Sequence, residues 1–123
     1  MPWNFDNSSP IYLQIIQEMK RKIIRKELSP GEKLPSVRDL AKEAGVNPNT
    51  MQKALSELEA AGLIETERTT GKFVTGDTKL ISILREDYLK EKLGPFMSEL
   101  HSLGLNEEEL VTLIRKHYKE AKA

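Results

Sequence analysis

Between Asn47 and Lys53 the chain reads Asn-Pro-Asn-Thr-Met-Gln-Lys, a helix-start signal followed by hydrogen-bonding and charged side chains at close spacing. The carboxamides of Asn49 and Gln52 have the geometry to pair with the edge of adenine. Lys53 can reach guanine or a phosphate oxygen, and the Thr50 hydroxyl can serve as donor or acceptor. Main-chain N–H groups of a first helical turn can also hold a phosphate. Each of these side chains suits an ordinary solvated helix face equally well, and Asn47 suits a plain helix cap, so the reading turns on what surrounds them. Upstream stand Ser36 and Arg38, whose guanidinium would meet a phosphate or a base edge if the two segments lay side by side. Downstream, Arg68, Thr69, Thr70, Gly71 and Lys72 form a short polar run with two cations, fit either for a solvated turn or for contact with phosphate or a minor groove.

The elements that must position these residues are legible. A first helix opens with Ser8 or Ser9 as cap and Pro10 in its first turn. Its apolar stripe is Tyr12, Ile15, Ile16, Met19, Ile23 and Ile24, and Lys20, Arg21, Lys22, Arg25 and Lys26 crowd its last turns before Ser29-Pro30-Gly31 ends it. Ser36 starts a second helix in a capping-box-like Ser-Val-Arg-Asp, with Val37, Leu40, Ala41 and Ala44 inward and Gly45 as the stop. Asn47 caps a third helix with Pro48 at its first position, and its buried stripe is Met51, Ala54, Leu55, Leu58 and Ala61, closed by Gly62. Two short helices joined by a tight glycine turn are a helix-turn-helix. The strand-like runs 63–67 and 72–75 around a glycine-containing turn form a hairpin directly after it, which is a wing.

From Thr78 the pattern is helical again. Leu80, Ile81, Leu84 and Tyr88 mark one stripe, Gly94-Pro95 is expected to kink or break the helix, and Phe96, Met97, Leu100 and Leu103 resume it until Gly104. A last helix is announced by Asn106 with Glu109 three residues on, by a Leu105–Leu110 staple, and by Glu107 and Glu108 at its positive end. Leu110, Leu113, Ile114 and Tyr118 form its apolar face. The expected architecture is therefore mainly α with a small β-hairpin: a winged helix-turn-helix over 1–76 and a helical tail over 77–123. The tail is too short to bury both faces alone. Its large side chains, Leu84, Tyr88, Phe96, Met97, Leu100 and Ile114, point to dimerisation with a second copy; folding back on its own winged helix is the alternative.

Composition narrows the classes. The chain has 123 residues, 38% of them hydrophobic, and no cysteine, which excludes disulfides and thiolate metal sites. It has no apolar run of membrane-spanning length and no signal-peptide pattern, so the expectation is a soluble cytoplasmic protein with no membrane partner. His101 and His117 are isolated, the Glu107–Glu109 run reads as a helix start, and no glycine-rich phosphate loop is present. The expectation is no enzyme and no cofactor. Nineteen basic residues balance nineteen acidic ones, and eleven and ten of these precede Gly76. A basic footprint must therefore be local. Neutrality also suits a second reading, a winged-helix module that docks on protein through a coiled-coil-like tail.

The run Gly31-Glu32-Lys33-Leu34-Pro35-Ser36-Val37-Arg38-Asp39-Leu40-Ala41 resembles the opening of the GntR family DNA-binding domain. The similarity continues through Gly45-Val46-Asn47-Pro48-Asn49-Thr50, Ala54-Leu55, Leu58, Gly62-Leu63-Ile64 and Thr70-Gly71-Lys72-Phe73-Val74, and Pro10-Ile11-Tyr12-Leu13-Gln14-Ile15 is also typical. The resemblance implies a winged helix that binds double-stranded DNA at a pseudo-palindromic operator as a homodimer, usually as a repressor. It carries DNA contacts onto Ser36, Arg38, Asn47, Asn49, Thr50 and the wing around Gly71. Pro48 stands where many members have arginine, and Thr69 where the wing often has glycine. The short tail is similar to that of the YtrA subfamily, in which it serves mainly in dimerisation. No small-molecule effector is implied.

Overall fold

The computed structural model describes residues 3–122. Its elements run α1 (Ile11–Ile24), α2 (Val37–Ala44), α3 (Pro48–Ala60), β1 (Ile64–Glu67), β2 (Gly71–Val74), α4 (Thr78–Ser102) and α5 (Glu107–Lys122). The chain divides into two compact units, Met1–Arg85 and Glu86–Ala123, so the first extends past residue 76 into the start of α4.

In the first unit one apolar cluster holds the three helices together. Ile15, Ile16, Met19 and Ile23 of α1, Leu40, Ala41 and Ala44 of α2, and Met51, Ala54, Leu55 and Leu58 of α3 are all buried in it, with Leu34, Leu63, Ile64, Val74 and Ile81. Helix α3 is the hub and packs against α1, α2 and β1. Its stripe stops at Leu58, because Ala61 is the C-cap and is exposed. Leu80 and Leu84 of α4 pack against the same cluster, so the first turns of α4 belong to this core.

Local chemistry sets the boundaries. Ser36 Oγ accepts from Asp39 N at 3.1 Å at the start of α2, and Gly45 ends it with φ 76, a left-handed conformation that glycine adopts without a Cβ clash. Asp77 Oδ1 accepts from Lys79 N and Leu80 N at the start of α4. The start of α1 differs from expectation. Pro10 occupies the cap position and no side chain caps it; Ser8 turns back to the Asp6 carboxylate instead. Gln14 instead ties the preceding segment back onto the helix, its Nε2 donating to the carbonyls of Asp6 and Ser9 and its Oε1 accepting from Asp6 N.

β1 and β2 pair antiparallel, Ile64 with Val74 through Glu67 with Gly71. A third, unforeseen segment joins them: Lys33 bridges Phe73, Leu34 N donates to Lys72 O, and Val74 N donates to Glu32 O. The loop before α2 is thereby tied to the wing.

In the second unit α4 continues through Pro95, where the sequence pattern suggested a kink or break, and ends only at Ser102. Proline removes one N–H and crowds the residue before it, but Gly94 has no Cβ to meet the pyrrolidine ring and sits in open space. α5 starts with a complete capping box: Glu109 N donates to Asn106 Oδ1 at 2.9 Å and Asn106 N to Glu109 Oε1 at 3.3 Å. Beyond the connecting turn α4 and α5 pack little on each other. Leu89, Leu93, Phe96, Leu103, Val111, Leu113, Ile114 and Tyr118 stay exposed on this unit.

Candidate nucleic-acid interface

The back of α3 is buried and its front is free. Asn49, Gln52 and Lys53 are exposed and Thr50 half-buried, on the side opposite Met51, Ala54, Leu55 and Leu58. Asn47 serves as the cap, its Oδ1 accepting from Asn49 N at 2.7 Å. That bond uses one first-turn donor, and Pro48 has none, so side chains rather than main-chain N–H groups dominate what this helix end offers a ligand. Gln52 Nε2 donates to Ser56 Oγ at 3.0 Å one turn on, which orients its amide.

Arg38 is exposed at the second position of α2, beside the Ser36 cap. Ser36, Lys33, Arg68, Thr70, Gly71 and Lys72 line a groove of about 520 Å³ between the start of α2 and the wing. The tight register from the third segment brings these residues together. Gly71, at φ 119, ends the turn, and a Cβ there would stand 3.4 Å from Lys33 Cε. Lys33 escaped sequence reasoning: only its place just before Leu34-Pro35-Ser36 could have signalled it, and its wing pairing is a tertiary contact.

The ion pairs decide which cations of this neutral chain are already partnered. The cations crowding the end of α1 are largely compensated: Glu18 pairs with Arg21 at 2.8 Å and with Arg25 at 3.4 Å, and Glu27 pairs with Arg25 at 2.9 Å and with Lys22 at 3.4 Å. The Arg25 hydrogen bond, helped by Lys22, holds the Glu27 carboxyl below the usual glutamate range. Among the described residues, Lys33, Arg38, Lys53 and Arg68 have no carboxylate in ion-pair distance. These four stand beside the front of α3, the start of α2 and the wing turn; Lys20, Lys26, Lys42 and Lys79 are likewise without an ion pair among the described residues elsewhere on the same unit, and Glu67 shares the groove beside the wing.

Lys72 is placed differently from Arg68. Its Nζ donates to Glu59 Oε2 at 3.1 Å and to Thr66 Oγ1 at 2.9 Å, and Thr66 donates to the same carboxylate. This triad ties the wing to the end of α3. The Thr66 hydroxyl first, then Lys72, hold the Glu59 carboxyl below the usual glutamate range. A carboxyl lowered in the folded state stabilises above its unfolded pKa, and that contribution is lost as pH falls through the folded value. Glu59→Gln is therefore expected to destabilise the fold at pH 7 by less than about 1 kcal/mol for so exposed a pair, read as a small fall in melting temperature. The gap from the parent should close as the pH is taken down through the carboxylate range. A gap that stays constant with pH in thermal melts would mean the triad does not tie the wing.

In the second unit, a recess of about 700 Å³ is lined by Met97, His101, Leu105, Leu110, Val111 and Ile114. Of the residues expected to dimerise, Met97 and Leu100 are half-buried here, Phe96 and Ile114 exposed, and Tyr88 carries Lys92 Nζ 5.3 Å from its ring. Leu84 lies on the core of the first unit. His117 makes a surface pair with Glu120 at 3.0 Å. Among the described residues no helix is long and apolar enough to cross a membrane.

Comparison with known proteins agrees with this geometry. Residues 11–74 match the family described as bacterial regulatory proteins, gntR family. The HTH-type transcriptional repressor YtrA of Bacillus subtilis is 40% identical over 111 residues, covering 89% of this chain and 85% of that protein. A GntR family transcriptional regulator from Listeria monocytogenes has a solved structure that superposes with a TM-score of 0.86 at 41% identity, covering 91% of this chain and 98% of that one. The DNA-binding domain of AraR, solved in complex with operator ORR3, superposes with a TM-score of 0.53 at 28% identity, over 61% of this chain and 90% of that one.

Proposed function

This chain belongs to the gntR family of bacterial regulatory proteins, a family of DNA-binding transcription regulators rather than enzymes, and from that premise we propose that it is a cytoplasmic repressor that binds a pseudo-palindromic operator as a homodimer. The observation that carries the reading is the exposed polar front of α3 over a fully buried back, flanked by cations without carboxylate partners. In this reading Asn49, Thr50 and Gln52 read base edges. Lys53, Ser36, Arg38, Asn47 and the wing residues Arg68, Thr70, Gly71 and Lys72 set the register on phosphates and the neighbouring groove. Repression is taken from the similar YtrA. The winged helix over 1–76 supplies the DNA contacts and the segment 77–123 supplies the dimer. Support for the dimer is the apolar surface left open in the second unit, where Phe96 is 50% and Tyr118 67% exposed. Burying such surface is worth roughly 25 cal/mol per Å² before association costs. A dimer places two copies of α3 about one helical turn of DNA apart, roughly 34 Å, which is what a two-fold operator presents.

The test is a gel shift with the DNA upstream of the protein's own gene, alongside light scattering on the free protein. The expected results are a dimer and an affinity that falls linearly on a log–log plot with salt. For about 6–10 phosphate contacts the loss between 50 and 200 mM salt is about 10³–10⁵-fold. Salt-insensitive binding would overturn the reading. Absence of any shift at low salt, with stable capture of a protein partner, would favour the adaptor module that the neutral net charge also suits.

A further inference from the structure

The geometry points to Tyr12 as a positioning residue for DNA binding: its ring holds the Lys53 ammonium at the flank of α3, ready for a backbone phosphate. The inference rests on the DNA-binding reading above. Lys53 Nζ lies 3.9 Å from the centroid of the Tyr12 ring, the shortest cation–ring distance among the described residues. Tyr12 is half-buried against the core of the first unit, so the platform is fixed, while Lys53 is exposed. Ile11, Tyr12, Asn49, Thr50 and Lys53 line one shallow recess of about 400 Å³ that joins the first turn of α1 to the front of α3.

The contrast with Lys72 gives the physical reason. Lys72 is also held, but by a carboxylate that cancels its charge. An aromatic face attracts a cation through its quadrupole and leaves the charge uncancelled. No carboxylate lies in ion-pair distance of Lys53 among the described residues. A free lysine side chain loses substantial rotamer freedom when it docks on a phosphate. One already resting on a ring has lost part of that freedom in the unbound protein, and the saving appears as affinity. The ammonium rests toward α1, in the recess shared with Asn49 and Thr50 and away from Gln52, so a phosphate at the flank of α3 is the partner it is placed for.

A phosphate contact is sequence-independent, so the probe is a fluorescein-labelled duplex of about 30 base pairs of random sequence, titrated at several salt concentrations by anisotropy. Lys53→Met should weaken binding and reduce the salt slope by about one. Tyr12→Leu keeps an apolar side chain on the core and keeps the lysine charge. It should weaken binding about two- to fivefold, the size of an exposed cation–ring contact, with the slope unchanged. Tyr12→Phe should bind like the parent, and the double variant Tyr12→Leu/Lys53→Met no more weakly than Lys53→Met alone. Equal losses in Tyr12→Phe and Tyr12→Leu would overturn the proposal, because the hydroxyl would then be the contact. So would a Tyr12→Leu loss that persists undiminished beside Lys53→Met, since the ring would then act only through packing. Parent protein that fails to bind the duplex at low salt would instead remove the DNA-binding reading itself.

Discussion

Arg38→Ala should weaken operator binding by about 5- to 150-fold, the range for one lost phosphate or base-edge contact of roughly 1–3 kcal/mol, while leaving the melting temperature where it was. The separation of effects follows from where Arg38 stands. It is exposed at the start of α2 and makes no ion pair among the described residues. The buried residues of α2, Leu40, Ala41 and Ala44, carry the packing instead. Arg38→Lys should recover only part of the loss, because an ammonium keeps the charge but not the planar five-donor fork that engages two oxygens at once. Anisotropy titrations near physiological salt, with circular-dichroism melts on the same samples, make the comparison. Parent-like affinity in Arg38→Ala would place the start of α2 outside the interface and take the groove beside the wing with it.

Leu55→Ala should have the largest effect on the fold. Leu55 is 0% exposed on the back of α3, the helix that packs against α1, α2 and β1 together. Truncating a buried leucine removes its transfer energy and leaves a cavity, about 2–5 kcal/mol in all. In a unit the size of the first one, each kcal/mol moves the melting temperature by roughly 4–8 °C, so a fall on the order of 10 °C or more is expected. DNA binding should vanish above the new midpoint and survive below it, since the front of α3 is untouched. Leu55→Met, nearly equal in volume, should cost less than about 1.5 kcal/mol. A fall of only a few degrees in Leu55→Ala would mean that α3 is not the hub that the burial pattern makes it.

These two substitutions sit on opposite faces of one constellation, and both faces were visible in the spacing of residues. So were the caps at Ser36, Asn47 and Asn106, the glycine stop at Gly45 and the presence of a hairpin after α3. Each depends on interactions within about four residues, or on a side-chain period that one helix or strand imposes by itself. Of the kink or break expected at Gly94-Pro95, the break does not occur: the pattern weighs the proline ring against an average predecessor, whereas Gly94 offers no Cβ to clash. Ser8 and Ser9 misled because Ser8 turns to the Asp6 carboxylate and Gln14, within reach only once α1 has formed, ties that segment back by its carbonyls, leaving Pro10 at an uncapped helix start.

Amino-acid order alone therefore determined the helices, the wing, the polar front of α3 and its oily back. What only the folded chain decided is which charges remain available. Arg21 and Arg25 are bound to Glu18, Lys72 to Glu59 thirteen positions away, and Lys53 rests on Tyr12 from a different helix. Coulomb and cation–ring energies depend on distances between side chains that packing, not sequence separation, brings together. For that reason a composition with equal numbers of positive and negative residues gave no sign of which cations would stand unpaired beside the front of α3.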